Sequence, residues 1–127
     1  MTRHELTIAI KRAYDPPADS DGSRVLVDRL WPRGMAKADA RIDLWLKDIA
    51  PSAELRTWFG HDPAKFDEFR RRDAVELSTG VGQQALRRLR EMAQHDQITL
   101  VFAAKDTAHN DAVVLRDLIL QSTDSSE

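Results

Sequence analysis

The chain has 127 residues, 42% of them hydrophobic and 31% charged, which is enough for one globular domain with a proper core. It contains no cysteine, and this excludes disulfides, thiolate catalysis and cysteine-ligated metal sites. A formal net charge of −2 gives no global attraction to nucleic acid, and no apolar run approaches the roughly eighteen residues that span a membrane.

The opening stretch Met1-Thr2-Arg3-His4-Glu5 has no apolar signal core, so a cytoplasmic protein is expected. Leu6, Ile8 and Ile10 then alternate with Thr7, Ala9 and Lys11, the pattern of a half-buried strand. Residues 15–23 are dense in Asp, Pro, Ser and Gly and predict a surface loop. Val25 to Val27 are apolar on both faces and predict a central strand reaching from Val25 to about Leu30. Between 38 and 50 two patterns compete: Ile42, Leu44 and Leu46 suit a strand, whereas Ile42, Trp45, Leu46 and Ile49 suit a helix.

Pro51-Ser52 predicts a helix start capped by Ser52, with Glu54 near the favourable end of the dipole, and Gly60 ends that helix. Asp62-Pro63 predicts the next start, followed by Phe66, Phe69, Asp73 and Leu77 on one face, where Asp73 is the odd member. Gly80 and Gly82 are expected to break this helix. Another follows from about Gln83 to Gln94, with Leu86, Leu89 and Met92 or Ala93 inward. Ile98 to Ala104 is the second central strand. The last helix is expected from about Thr107, with Ala108, Ala112, Leu115 and Ile119 as its buried stripe. The polar residues from Gln121 to Glu127 predict a frayed tail. The expected architecture is therefore a single α/β domain over 1–127, with an ordered core at about 6–121 and a flexible tail at 122–127. Its sheet should be mixed and largely parallel, flanked by helices.

Both central strands run into charged, hydrogen-bonding clusters. In open α/β folds ligands sit outside the carboxyl ends of the strands, so the two clusters predict one shared site. After the first strand, Asp28 follows three buried aliphatics, a costly position unless it is paired. Arg29 and Arg33 offer rigid forks for phosphate or carboxylate, and Gly34 allows a tight turn. The plain alternative is an internal Asp28–arginine bridge that only fixes the loop. Trp31 is expected to anchor packing, and Lys11, Arg12 and Tyr14 could border the same cleft. After the second strand come Lys105-Asp106-Thr107-Ala108-His109-Asn110. Asp106 or Thr107 can cap a helix whose free amides, beside Lys105, would form an anion site. His109 stands three residues beyond Asp106, close enough for the carboxylate to orient and tune the imidazole. The alternative is again simple: Asp106 as a cap only, with His109 and Asn110 on the surface.

The four histidines are scattered without metal-site spacing, so no metal is expected, and His4, His61 and His95 suit surface or linker positions. Walker, dinucleotide-binding and nucleophile-elbow motifs are missing, and no cofactor is expected. Arg70, Arg71, Arg72, Arg87, Arg88 and Arg90 invite a nucleic-acid role. Consecutive arginines, however, point around a helix, and Asp67–Arg71 and Glu68–Arg72 have ion-pair spacing.

Several blocks together resemble a known family. They are Ile10-Lys11-Arg12, the Val25-Leu26-Val27-Asp28-Arg29-Leu30-Trp31-Pro32-Arg33-Gly34 string, and Ile49-Ala50-Pro51-Ser52. Glu54-Leu55-Arg56 with Trp58-Phe59, and Ala103-Ala104-Lys105-Asp106 with His109-Asn110, continue the pattern. The chain resembles the YeaO-like bacterial family, domain of unknown function 488, from about Leu6 to Leu120. That resemblance implies a compact cytoplasmic α/β domain with no secure reaction attached. One departure is Asp73, where the family pattern implies an aromatic, commonly tyrosine.

These observations lead to a protein that binds, and could act on, a small phosphorylated or carboxylated ligand. Arg33, Arg29 and Lys105, with the amides near Thr107, would hold the anion, while Asp28 orients the arginines and Asn110 borders the ligand. Asp106 and His109 would supply any acid–base step. The sequence leaves open whether there is a reaction, and what the oligomeric state is. Two alternatives stand beside this reading. One is a nucleic-acid-binding or regulatory module using the arginine-bearing helices. The other is an interaction domain presenting Trp45, Trp58 and Phe59.

Overall fold

Four strands form one sheet: β1 (Ile8–Arg12), β2 (Ser23–Leu26), β3 (Leu44–Trp45) and β4 (Ile98–Phe102). Their spatial order is β1-β4-β2-β3, and every pairing is parallel, so the mixed sheet expected from sequence is a fully parallel one. The computed structural model describes residues 8–125, and His4, Leu6 and Thr7 lie outside the described residues.

The two strands that are apolar on both faces are the central ones, as their composition demands. In β4 every residue from Ile98 to Phe102 is buried, and in β2 Val25 and Leu26 are fully so. Both end sooner than their apolar runs suggest. Val27 still donates to the Val101 carbonyl at 3.1 Å, but the chain turns away immediately afterwards at Asp28. The ambiguous 38–50 segment is neither a single strand nor a single helix. It comprises a one-turn helix α1 (Lys37–Ala40), the short β3 and a 3-10 turn at Lys47–Ile49. Backbone bonds from Asp43 to the Arg24 carbonyl and from Leu46 to the Leu26 carbonyl pull this segment onto the edge of β2, which overrides its helical periodicity.

Helix α2 (Ala53–Phe59) starts and stops where its signals place it, between Ser52 and Gly60. The Ser52 hydroxyl accepts the Leu55 N–H at 3.1 Å and donates to Glu76 at 2.6 Å, while the Ser52 N–H donates to the same carboxylate at 2.8 Å. One residue thus caps α2 and fastens it to the end of α3 (Phe66–Glu76). Ser52→Ala is expected to cost about 1–2 kcal/mol, the upper range for a lost cap, measured as a lower urea midpoint with an unchanged slope. Asp62 caps the single turn before α3 by accepting the Ala64 N–H, with Pro63 in first position. All four members of the expected face, Phe66, Phe69, Asp73 and Leu77, are buried.

Helix α4 (Gly80–His95) begins three residues earlier than expected. Gly82 does not break it. It lies buried in the first turn, where a side chain's first carbon would stand 3.1 Å from the Glu76 carbonyl, so glycine there permits the close approach of α3. Helix α5 (Asp111–Ser125) starts four residues later than expected and continues past Leu120 into the polar segment. Its cap is neither Asp106 nor Thr107 but the buried Asn110, whose side-chain oxygen accepts the Val113 N–H at 3.0 Å. Ala108 consequently lies exposed before the helix, and the buried stripe begins at Ala112.

The main core joins Val25, Ile98, Leu100 and Phe102 of one sheet face to Leu86 and Leu89 of α4 and Leu115 and Ile119 of α5. An adjoining cluster packs Leu55 and Phe59 of α2 against Phe66 and Phe69 of α3 and Val113 and Val114 of α5. The opposite face of the sheet carries Leu26 and Val101, and half-buried Trp31, Ile42 and Trp45 cover it in place of a second helical layer. Among the described residues no helix is long and apolar enough to cross a membrane.

Candidate functional site

A cleft of about 460 Å³ opens beyond the carboxyl ends of β2 and β4, where an open parallel sheet places its ligands. Asp28 to Arg33 leave β2 along one wall, and Ala103 and Ala104 leave β4 beside them. Pro51, Arg56 and Phe59 come from the α2 region, His61 and Phe69 from the entry to α3 and from α3 itself, and Asn110 and Asp111 from the start of α5. Tyr14 closes the side nearest β1.

Of the residues singled out from sequence, Asp28, Arg29, Arg33 and Asn110 line this cleft. Asp28 ties the two central strands together, because its carboxylate accepts the Ala103 N–H at 2.8 Å. It bonds to neither Arg29 nor Arg33, so its expected role of orienting them is not what its contacts do. Burial pushes the Asp28 carboxyl up, against the Ala103 N–H bond and the attraction of Arg56 and His61. Among the described residues the Arg29 guanidinium reaches only the Pro51 carbonyl, at 3.5 Å, and no hydrogen bond or ion pair holds the exposed Arg33 side chain, although its carbonyl accepts the Tyr14 hydroxyl. Asn110 borders the cleft with its amide already committed: the nitrogen donates to the Asp106 carbonyl, and the oxygen caps α5.

Lys105, Asp106, Thr107 and His109 are not among the cleft's lining residues. The amides expected to hold an anion near Thr107 are partly taken, since the Asp106 carboxylate accepts the Ala108 and His109 N–H groups at 2.9 and 3.0 Å. These bonds close a turn before the helix, and that turn brings the His109 ring within 3.0 Å of Asp106 without a shared helical face. The Ala108 N–H, then the His109 N–H and ring, hold the Asp106 carboxyl below its ordinary range. The His109 ring stands edge-on to Phe66, with centroids 5.2 Å apart.

Three lining residues with charged or imidazole side chains were not singled out as ligand groups. Arg56 sits in what the sequence offers only as a short capped helix, and the fold aims that helix at the cleft. His61 follows Gly60 with a left-handed φ of 58°, a conformation shared among the described side-chain-bearing residues only by Arg41. Asp111 stands one position beyond the cap; burial pushes its carboxyl well up, and Asp28 and Asp73 add to this. The Gly60-His61-Asp62-Pro63 run was the one available signal for His61. Of Lys11, Arg12 and Tyr14, only Tyr14 lines the cleft. Lys11 pairs with Asp21 at 3.1 Å, and Arg12 donates to the Ala103 and Ala104 carbonyls.

The three arginines of α3 have partners within the chain, whereas among the described residues no ion pair holds Arg87, Arg88 or Arg90 of α4. Arg70 pairs with Asp117 at 2.7 Å, and Arg71 and Arg72 both pair with Glu68, so Arg71 turns to Glu68 rather than to Asp67. The aromatic residues considered as an interaction patch are engaged too. Phe59 is buried, Trp58 packs beneath Arg72, and Trp45 meets Trp31 edge-on.

A family model described as "Inactive DUF488-N3 subclade" matches residues 7–127. The chain is 44% identical over 112 residues to the uncharacterized protein YeaO of Escherichia coli K12, covering 88% of this chain and 96% of that protein. It is 42% identical over 115 residues to an uncharacterized protein of Mycobacterium tuberculosis H37Rv, covering 91% of this chain and 95% of the relative. No solved structure matches the chain.

Proposed function

The chain belongs to the DUF488 family, and from that premise we propose that it binds a small phosphorylated or carboxylated molecule in the cleft without transforming it. The observation that carries this reading is the state of Arg29, Arg33 and Arg56. All three line one cleft, and among the described residues none of them forms an ion pair with a carboxylate. Guanidinium groups held beside an open cavity without an ion-paired carboxylate suit an incoming phosphate or carboxylate. Binding without chemistry fits the position of the Asp106–His109 pair outside the lining, and it fits the family description as inactive. A cytoplasmic setting suits such a ligand.

The test is a thermal-shift titration of the wild type, Arg56→Ala, Arg33→Ala and Lys105→Ala with inorganic phosphate, sugar phosphates and small carboxylates. A ligand that binds only the folded chain raises the melting temperature with the logarithm of its concentration. Each arginine variant should weaken binding roughly 10- to 100-fold, the range of a lost charge-assisted hydrogen bond, while Lys105→Ala binds as the wild type does. Silence from every compound, or a loss confined to Lys105→Ala, would remove the cleft as the binding site.

A further inference from the structure

Beside its arginines the cleft carries two carboxylates, and only the one at Asp28 feels the attraction of Arg56 and His61. Asp28 reaches it from the end of β2 and Asp111 from the first turn of α5. Among the described residues neither is ion-paired with a lysine, arginine or histidine. Asp73 stands one helical turn beyond the lining residue Phe69, behind the cleft wall and not part of its lining; it is fully buried, and both of its oxygens lack a hydrogen-bond partner. Asp111 feels the charges of Asp28 and Asp73, and Asp73 that of Glu76, while only Arg56 and His61 oppose them, at Asp28. Buried carboxylates without a full counter-charge are unfavourable, so burial shifts Asp28, Asp73 and Asp111 toward their protonated forms. Nowhere among the described residues do three His, Asp or Glu side chains stand close enough together to hold a metal ion.

We propose that the ligand is zwitterionic: besides the anion held by the arginines it carries an ammonium group that donates to Asp28 and Asp111. This rests on the anion-binding reading above. An ammonium brings three donors and a full positive charge to groups that can only accept when ionised, whereas a hydroxyl brings one donor and no charge. The cavity is of a size for a small aminated phosphate or carboxylate. Because the ammonium replaces protons as the counter-charge, its binding releases protons from the acidic floor.

Calorimetric titration of the full chain near neutral pH compares O-phosphoethanolamine with hydroxyethyl phosphate, a pair that differs only in ammonium against hydroxyl. Two buffers of different ionisation enthalpy count the protons released. The amine should bind roughly tenfold tighter or better, about one additional charge-assisted hydrogen bond, and should release protons. Asp111→Asn should remove that preference, so that the variant binds the two compounds alike. Equal binding of the two by the wild type, or tighter binding of the hydroxyl compound, overturns the zwitterion and needs no variant to show it. Inorganic phosphate, run alongside, separates the two levels. Phosphate binding that Arg56→Ala abolishes, with no difference between the paired probes, overturns this inference alone. No binding by phosphate or by either probe overturns the anion-binding reading as well.

Discussion

Asp73→Asn is expected to change the sign of its effect with pH, giving the less stable protein at about pH 4.5 and the more stable one at about pH 8. The Asp73 side chain is wholly buried on the inner face of α3, neither carboxyl oxygen has a hydrogen-bond partner, and burial, with Glu76 adding, pushes its pKa up from 3.8 to about 7. A carboxyl raised in this way binds its proton more tightly in the folded chain than in the unfolded one. The folded state is therefore unpenalised below about pH 4, loses stability as pH rises, and levels off once Asp73 is ionised in both states. At about 1.4 kcal/mol per pKa unit, the loss between about pH 4.5 and pH 8 is roughly 3 kcal/mol. Asparagine has no such titration, but its amide buries two N–H donors where the protonated carboxyl buries one O–H, and the additional unpartnered donor is a constant cost of about 1–3 kcal/mol. Urea unfolding of both proteins across this range checks the crossing. Curves that run parallel would overturn the raised pKa of Asp73.

Local signals account for much of what the sequence made legible. Ser52, Gly60 and Asp62-Pro63 act within four residues of themselves, so their caps and stops stand where the sequence puts them. The helical face of Phe66, Phe69, Asp73 and Leu77 was equally readable, including its polar member. The start of α5 was not, because Asp106 and Asn110 are both good caps and lie only four residues apart. The choice between them depends on Asp106 spending its carboxylate on a turn. At the candidate site, sequence located the strand ends but could not tell free side chains from committed ones. Asn110 has the chemistry of a ligand group, yet both ends of its amide are occupied, while its neighbour Asp111 faces the cleft. Arg56 and His61 reach the cleft only because α2 folds across the end of the sheet, which no local pattern encodes.

Asp21→Ala should be the most destabilising of these changes, at roughly 3–5 kcal/mol in urea unfolding near neutral pH. Arg24 lies in β2 on the sheet face without a helical cover, only 3% exposed. Its guanidinium donates to Asp21 at 2.7 Å and to the Ala40 carbonyl at 3.0 Å, and its third nitrogen has no partner. Without Asp21 a full positive charge is left buried against a single carbonyl. The Asp21 backbone carbonyl also receives the Thr99 hydroxyl, a bond that survives the substitution and keeps the loop in place. Arg24→Met should cost less, because Asp21 keeps Lys11 and the Ala18 N–H, and because methionine fills the vacated space with apolar atoms. A cost of about 1 kcal/mol or less for Asp21→Ala would show the pair behaving like a surface bridge. The pH dependence has the opposite sign to that of Asp73. Burial raises the Asp21 carboxyl, but the Ala18 N–H, Lys11 and Arg24 together outweigh it and hold the group below its ordinary value. Its contribution is therefore complete above about pH 4 and is lost as pH falls through the depressed folded value. Asp21 thus weakens the fold on the acid side, and Asp73, with Asp28 and Asp111 raised alongside it, weakens it as neutrality is approached. Wild-type stability should accordingly peak at about pH 4–5, and Asp73→Asn should move that peak toward neutral pH.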